Sequence, residues 1–192
     1  MHSSFLSDQE LAEVGFAAYG RELRVSRRAS IYAPEKIRLG DHVRIDDFCI
    51  LSGGSGIEIG DHVHIAAYSS LYGQGKIVLH DFVNISSRVA IYSISDDFSG
   101  KTLTNPTIPS EYLTNQTIAP VVLHRHVLIG TASTVLPGVE IGEGGATGAY
   151  CLVNRSLPGW MLYVGVPARP LRERERGLLQ QEAALKLSQG AP

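Results

Sequence analysis

The sequence has few cysteines and no block of like charge. Cys49 and Cys151 are its only two cysteines, they lie far apart, and neither belongs to a spacing typical of metal ligands. We therefore expect reduced thiols in a cytoplasmic protein. The 17 Lys and Arg nearly balance the 19 Asp and Glu, for a net charge of −2. Without a basic block, the sequence gives no indication of a nucleic-acid partner.

Long apolar stretches are also missing. No run approaches the roughly 18 residues that a membrane span needs. The first residues, MHSSFLSDQE, lack the charged segment and apolar segment of a secretory signal. With 192 residues, of which 44% are hydrophobic, the chain is long enough for one domain with a sizeable core. We expect an ordinary globular protein without a membrane span.

An aliphatic residue recurs at a spacing of six along most of the chain. Longer steps of eight follow Leu51 and Leu71, and one of 32 follows Ile91. Fourteen of the 15 ladder positions are aliphatic, and the exception is Thr147: Leu39, Ile45, Leu51, Ile59, Ile65, Leu71, Leu79, Ile85, Ile91, Leu123, Ile129, Val135, Ile141, Thr147 and Val153. Neither a helix nor an alternating strand has this period. It is typical of a parallel β-helix, in which three six-residue units close one triangular coil.

Smaller residues accompany this ladder. The residue four positions after each ladder residue is small or valine, with Leu157 as the exception, and we expect this set to fill the narrow corners of the triangle. The set includes both cysteines together with Ser55, Gly75 and Ser95. Glycine directly follows the ladder residue at four places: Gly40, Gly60, Gly130 and Gly142. We interpret these glycines as tight turns that need a positive φ.

The chain divides into three predicted regions. Residues 1–30 form an N-terminal helical segment, residues 31–170 form the β-helix with a long loop at 92–122, and residues 171–192 form a C-terminal helix and tail. The fold class is therefore all-β, apart from its two ends.

Both ends carry helix signals. Ser7 or Asp8 is a suitable N-cap before helical spacing, and residues 171–188 are rich in helix formers. Two end helices would shield the sheet edges that an open column exposes. The period does not determine the hand of the coil, and general chirality rules favour right-handed crossovers.

The C-terminal part of the repeat resembles a known enzyme family. The stretch VVLHRHVLIGTASTVLPGVEIGEGGATGAYCLVNRSLPGWMLYVGVPARPLRER is similar to the C-terminal half of the hexapeptide-repeat sugar acetyltransferases, such as galactoside and maltose O-acetyltransferases, and GVPAR is characteristic of them. IDDFCILSG and SDDFSG resemble a subgroup found among bacterial surface-polysaccharide genes, which acts on sugars or nucleotide-linked sugars. The resemblance covers residues 30–175. It implies a left-handed coil, a homotrimer with active sites in the grooves between columns, and acetyl-CoA as donor.

The resemblance also implies which residues hold the coenzyme. The corresponding positions are Thr131, Ala149, Asn154, Arg155, Arg169 and Arg172. Backbone groups near Thr131 and Ala149 would follow the pantetheine arm. The three arginines would face the phosphates, because guanidinium forks pair with phosphate oxygens. The alternative is that RPLRERER is the solvated face of a helix.

The repeat stops at IYSISDDFSG, residues 91–100. In the O-acetyltransferases the third hexad of this coil ends in a histidine that takes the proton from the acceptor hydroxyl, and the following loop folds over the acceptor. The resemblance places Asp96 at that position. Adjacent carboxylates such as Asp96 and Asp97 can raise each other's pKa and attract an ammonium group. We hypothesise that the acceptor is an amino sugar and that Asp96 binds and deprotonates its amine; alternatively, both aspartates cap a turn.

Other side chains are candidates for the groove. His64 and His80 point outward and could supply the base from a neighbouring copy; the alternative is a surface imidazole or a subunit contact. Tyr68 and Asn84 are candidate acceptor-facing residues. HVHI and HRH lack a nearby carboxylate or cysteine set, so we expect no metal.

The sequence supports one main hypothesis of function. It is an acetyl-CoA-dependent acetyltransferase that acts, by direct transfer, on a sugar or nucleotide-linked amino sugar in bacterial surface polysaccharide synthesis. One alternative is O-acetylation of a glycan hydroxyl by a groove histidine. A non-catalytic β-helix scaffold and a carbonic-anhydrase-like metal trimer are the others.

Overall fold

The protein is a parallel β-helix, as the sequence predicts. The computed structural model describes residues 4–189. Residues 1–3 and 190–192, at the ends of the predicted N-terminal segment and C-terminal tail, lie outside the described residues. Within residues 4–189, no helix has the length and apolarity to cross a membrane.

Three parallel sheets form the faces of the column. Face 1 contains β1 (Ala18–Tyr19), β4 (Ile37–Leu39), β7 (Ile57–Ile59), β10 (Ile77–Leu79), β15 (Val121–Leu123) and β18 (Glu140–Ile141). Face 2 contains β2 (Arg24–Val25), β5 (Arg44–Ile45), β8 (His64–Ile65), β11 (Asn84–Ile85), β16 (Leu128–Ile129), β19 (Ala146–Thr147), β21 (Met161–Val164) and β22 (Arg169–Glu173). Face 3 contains β3 (Ser30–Tyr32), β6 (Ile50–Ser52), β9 (Ser70–Tyr72), β12 (Ala90–Tyr92), β17 (Thr134–Val135) and β20 (Leu152–Val153). We name the corners by the faces that they join: the 1–2, 2–3 and 3–1 corners.

The predicted aliphatic ladder fills the inside of the column. Every ladder residue is buried, including Thr147. Ile65 lies in register with Ile85, and Ile85 lies in register with Ile129 across the long loop. Because neighbouring strands are about 4.8 Å apart, like side chains stack directly on one another from coil to coil. The interruption of the repeat therefore does not displace the core.

The prediction for the small residues at the 3–1 corner was wrong. Ser55 is exposed, and Gly75 and Ser95 are only half-buried. The buried corner positions belong instead to Gly53 and Ser93. The extra residues of the longer coils lie at this corner and push the following residues outward.

The glycines that follow the ladder residues are required by close approach, not by positive φ. A Cβ at Gly60 would lie 2.3 Å from Asp81 Oδ1, and one at Gly130 would lie 2.3 Å from the carbonyl oxygen of Gly148. None of the four predicted glycines has a positive φ. In the second to fifth coils the left-handed conformation falls at the 1–2 corner position two residues further along, with φ of 56° to 60°, at His42, His62, Phe82 and His126. The aromatic rings of these residues stack with centroids 4.6 to 5.0 Å apart.

The predicted N-terminal helix is confirmed. Helix α1 (Asp8–Val14) begins after Ser7, whose side chain accepts a hydrogen bond from the backbone N–H of Glu10. The Glu10 carboxylate accepts in return from the Ser7 N–H at 2.7 Å, which completes a capping box. Leu11 anchors the helix in the core.

The C-terminal helix is shorter than predicted. Helix α2 spans Leu178–Ser188, whereas residues Arg169–Glu173 form β22, antiparallel to β21. The helical prediction for the residues from 171 was therefore wrong. At the end of the column β21 would leave backbone groups unpaired, and pairing with β22 satisfies them despite the helix propensity of this segment.

Helix α2 is held to the column by one buried carboxylate. Glu182, 8% exposed, is its only buried residue. Its oxygens lie 2.7 Å from His126 Nε2, 2.8 Å from Arg125 Nη2 and 2.7 Å from Lys186 Nζ. Burial alone would raise the pKa of Glu182, but the hydrogen bonds from Lys186 and His126 and the charge of Arg125 bring it below its ordinary value.

A glycine substitution tests the close packing of the coils. Gly60→Ala introduces a Cβ within 2.3 Å of Asp81 Oδ1. We expect it to lower the free energy of unfolding by about 1–3 kcal/mol. Gly177→Ala is the matched control, because a Cβ there meets no atom within 4 Å. Thermal unfolding of both variants checks this, and equal stability of the two would contradict it.

Acid should weaken the attachment of α2. The folded-state pKa of Glu182 is below the ordinary value of 4.5, so its stabilisation is complete above pH 4.5 and is lost as the pH falls through the folded pKa. Glu182→Gln should cost about 3 kcal/mol near neutral pH. The difference from wild type should shrink below pH 4.5. Denaturant unfolding at several pH values measures this, with the exposed Glu175→Gln as control. A difference that does not depend on pH would contradict the role of the charge.

Candidate active site

The long loop leaves the column at the 3–1 corner and encloses a cleft. Residues 93–120 join β12 to β15, and β13 (Ile94–Ser95) pairs antiparallel with β14 (Thr117–Ile118) at the base of this loop. The cleft measures about 960 Å³. Most of its lining is apolar: Tyr72, Tyr92, Ile94, Phe98, Pro106, Ile108, Leu113 and Leu136. A concave, largely apolar space with a few polar groups is typical of a small-molecule site.

Among residues 4–189, Asp96 is the only charged side chain that lines this cleft. Gln116 Nε2 donates to Asp96 Oδ1 at 3.1 Å and fixes the carboxylate from the other end of the loop. Within residues 4–189, Oδ2 of Asp96 has no hydrogen-bond partner. One carboxylate oxygen is therefore free to accept a proton or a hydrogen bond from a bound molecule.

Asp97 faces the other way and holds the loop together. It is buried, and its oxygens accept hydrogen bonds from the Ser99 hydroxyl at 2.6 Å and from the backbone N–H groups of Ser99, Lys101 and Thr102 at 2.8 to 2.9 Å. The hydrogen bonds from Ser99 and its neighbours keep the pKa of Asp97 well below its usual range. The rise in pKa predicted for adjacent carboxylates is therefore wrong for Asp97. Its geometry matches the alternative, a cap at the start of the loop.

The predicted pantetheine contacts lie at the 2–3 corner. The Thr131 hydroxyl donates to the Ser87 carbonyl at 2.6 Å, and the N–H of Tyr150 donates to the Thr131 carbonyl at 2.8 Å. Thr131 and Ala149 thus occupy successive coils, and Ala149 is exposed.

An aromatic and cationic stack lies at the same corner. The ring of Tyr68 is stacked on Phe48 with centroids 5.0 Å apart, and the Arg88 guanidinium lies 5.4 Å from the Tyr68 centroid. Tyr68, a predicted substrate residue, is 54% exposed. The structure therefore brings Tyr68, Thr131 and Ala149 to one corner.

The other predicted coenzyme residues lie elsewhere. Asn154 and Arg155 are exposed at the 3–1 corner, directly after β20. Arg169 and Arg172 are exposed on β22, where Arg169 donates to the Ala168 carbonyl at 3.1 Å. A single chain therefore does not bring Asn154 and Arg155 to the corner of Thr131 and Ala149.

The candidate histidines do not line the cleft. His64 lies on face 2 with its Nε2 2.9 Å from Asp46 Oδ2, and Asn84 is its register partner on β11. His80 lies at the 1–2 corner, where its ring stacks on His124 at 5.1 Å. In the part of the chain that the structure describes, no three His, Cys, Asp or Glu side chains are grouped for a metal ion.

Face 3 separates the two groups of candidate residues. The chain uses residues 88–93 to cross from the 2–3 corner to the 3–1 corner. At about 3.3 Å per residue, the corners are on the order of 16 Å apart. Asp96 and the cleft therefore lie at one edge of face 3, and Thr131 and Ala149 lie at the other.

Some residues of the cleft were missed at the level of sequence. Tyr72 and Tyr92 stack with centroids 5.8 Å apart at equivalent positions of successive coils. Their 20-residue spacing was visible in the sequence and would have marked them as one outward column. Gln116 had no such signal, because only the folding of the loop brings it to Asp96.

Comparison with known proteins gives close relatives, although no protein-family model matches the chain. The dTDP-4-amino-4,6-dideoxy-D-glucose acyltransferase of Escherichia coli is 44% identical over 186 residues, which is 96% of each protein. AntD, an N-acyltransferase from Bacillus cereus, was solved with dTDP and 3-hydroxybutyryl-CoA. It is 46% identical with a TM-score of 0.94, covering 99% of this chain and 100% of AntD.

A substituted form of AntD was solved with dTDP-4-amino-4,6-dideoxyglucose and coenzyme A. It matches with a TM-score of 0.93 and 46% identity over 98% of this chain and 100% of its own. The expected family resemblance is thus confirmed across nearly the whole sequence. With its six-residue repeat, its β-helix and these relatives, the chain belongs to the hexapeptide-repeat acyltransferases.

Proposed function

We propose that the protein transfers an acetyl group from acetyl-CoA to the amine of a nucleotide-linked amino sugar, with dTDP-4-amino-4,6-dideoxyglucose as the first candidate. The observation that carries this proposal is the single carboxylate in the apolar cleft, Asp96, with one free oxygen. The relatives support it, because AntD was solved with this amino sugar and with coenzyme A. No metal is required for this reaction.

The reaction is a direct attack of the amine on the thioester. The amine nitrogen forms a bond to the acetyl carbonyl carbon, the C–S bond breaks, and coenzyme A leaves as a thiolate. In this step the attacking nitrogen loses one proton, and the thiolate sulfur of coenzyme A gains one to become the thiol. Asp96 accepts the proton from the nitrogen, and the thiolate takes it up when the product forms. Orientation of the two substrates supplies much of the rate.

Asp96 suits an amine better than a hydroxyl. A carboxylate is a weak base toward a hydroxyl, whose own pKa is far higher. It attracts the ammonium form, which releases one proton to solvent to give the neutral amine that attacks, and it then accepts the second proton as the C–N bond forms. Asp96 and Gln116 both line the cleft, and the Gln116 amide orients the carboxylate through Oδ1 while Oδ2 stays free for the amine. Asp97 stabilises the loop that carries Asp96.

The donor site requires more than one copy of the chain. We propose a homotrimer in which the 2–3 corner of one copy faces the 3–1 corner of the next. This arrangement brings Thr131 and Ala149 together with Asn154 and Arg155 across the groove. Arg155, Arg169 and Arg172 would face the phosphates of the coenzyme. The separation of these groups by face 3 within one chain supports this proposal.

The reaction belongs in the cytoplasm, in the synthesis of a surface polysaccharide. Both cysteines are free and buried, consistent with a reducing compartment. O-acetylation by a groove histidine has less support, since His64 is engaged by Asp46 and His80 is stacked on His124. Neither histidine reaches the cleft of its own chain.

Removal of the Asp96 charge tests the proposed base. We expect Asp96→Asn to lower kcat by about 10²- to 10³-fold, because the proton acceptor is lost. Thermal stability should stay at the wild-type value, since the side chain is exposed. Steady-state acetyl transfer to dTDP-4-amino-4,6-dideoxyglucose is the measurement. Glu111→Gln, an exposed carboxylate on the same loop, is the control. Wild-type kcat in Asp96→Asn would remove the catalytic role.

Substitution of an arginine tests the donor site. Arg169→Gln and Arg155→Gln should each raise the KM for acetyl-CoA by about 10-fold, with kcat little changed, because each removes a charged contact to phosphate. Arg24→Gln, on face 2 near the opposite end of the column, should leave both constants unchanged. If neither substitution alters the KM for acetyl-CoA, the assignment of these two residues fails.

A further inference from the structure

The proposed acceptor carries negative charge, and the described residues that line the cleft include no cation to balance it. A nucleotide-linked sugar has two phosphates, each negatively charged at neutral pH. No lysine or arginine of the described residues lines the cleft, and the one charged side chain found there, Asp96, is an anion. This inference rests on the proposed function. The acceptor diphosphate needs a cation, and that cation must come from residues that do not line the cleft of the same chain.

Arg88 has the properties that this task requires. It is exposed at the 2–3 corner, and its guanidinium lies over the ring of Tyr68. No carboxylate in the part of the chain that the structure describes forms an ion pair with it. A guanidinium positioned by an aromatic face keeps its N–H groups available for a phosphate. Arg28 at the same corner differs, because Asp47 engages it at 3.1 Å.

The position of Arg88 along the axis of the column distinguishes it from the other exposed arginines. Arg88 and Asp96 belong to the same passage of the chain, on either side of β12. Rotation about an axis parallel to the column moves no residue up or down. In a homotrimer with such an axis, Arg88 of one copy is therefore level with β12 of the next, from which the chain enters the loop that carries Asp96.

The neighbouring positions at that corner carry no charge. Backbone hydrogen bonds place Ala67 and Tyr68 one coil before Arg88, and Ala132 one coil after it. Within one coil spacing, about 4.8 Å, in either direction, Arg88 is the one cation among residues 67–68, 87–88 and 131–132.

We propose that Arg88 of a neighbouring copy binds the diphosphate of the acceptor whose amine is held by Asp96. The site is then incomplete in a single chain, and Arg88 determines the preference for nucleotide-linked over free amino sugars. The forked guanidinium makes two parallel hydrogen bonds to phosphate oxygens. Tyr68 holds the fork in place from below.

Steady-state kinetics of Arg88 variants tests this assignment. Arg88→Gln should raise the KM for dTDP-4-amino-4,6-dideoxyglucose by about 10- to 100-fold, with the KM for acetyl-CoA unchanged. Arg88→Lys should recover part of the loss, and the effect should weaken at high salt. Arg38→Gln, an exposed arginine on face 1, should match wild type. A rise in the KM for acetyl-CoA alone would assign Arg88 to the donor phosphates and overturn the proposal.

Mixed assemblies test whether Arg88 acts from another copy. Co-expression of Asp96→Asn and Arg88→Gln chains, assayed at low acceptor concentration, should recover activity above that of either parent, because about a quarter of the sites combine intact Asp96 and intact Arg88. If both residues act within one chain, no site is intact and activity stays at the parental level, which would overturn the proposal.

The wild-type enzyme separates this inference from the proposed function. If wild type transfers no acetyl group from acetyl-CoA to the dTDP-linked sugar, the proposed function fails. If wild type is active but Arg88→Gln has an unchanged acceptor KM, the function stands and only the assignment of Arg88 fails.

Discussion

The in-register stacking of coils is the constraint on which the rest of the structure depends. Each coil hydrogen-bonds to the next along its backbone, and each ladder side chain lies on its equivalent, as Ile65, Ile85 and Ile129 do. Every corner therefore recurs at a fixed place around the column and at a fixed height. The strand that a residue follows therefore determines its corner and its level within the β-helix, although not within the long loop.

The interruption of the repeat follows from the same constraint. The 3–1 corner already holds the extra residues of the longer coils. A loop inserted at this corner therefore disturbs the register of the aliphatic ladder least. The loop closes on itself through β13 and β14, and Asp97 binds its first turn. Asp96 is thereby left facing the cleft. The two aspartates at the break thus have different surroundings, since Asp97 is buried inside the loop and Asp96 lines the cleft.

The sequence predicts the column well, because its period is set by backbone geometry and side-chain volume. It predicts the details of single turns less well. Gly60 was predicted to need a positive φ, but glycine is required there because the next coil approaches it closely. Residues 169–173 were expected to be helical in part, but the open edge of β21 recruits them as a strand. The resemblance predicts a role for Asp96, which stays a prediction, whereas the contacts of Gln116 and Arg88 exist only in the folded chain.

In the proposed site, the residues for the acceptor and those for the donor lie at opposite edges of face 3. A crystal structure of the protein with coenzyme A and dTDP-4-amino-4,6-dideoxyglucose tests this arrangement most directly. We expect a homotrimer with the sugar amine within hydrogen-bond distance of Asp96 and the pantetheine arm along Thr131 and Ala149 of the adjacent copy. Both ligands bound within one chain, or a sugar bound away from the Asp96 cleft, would contradict it.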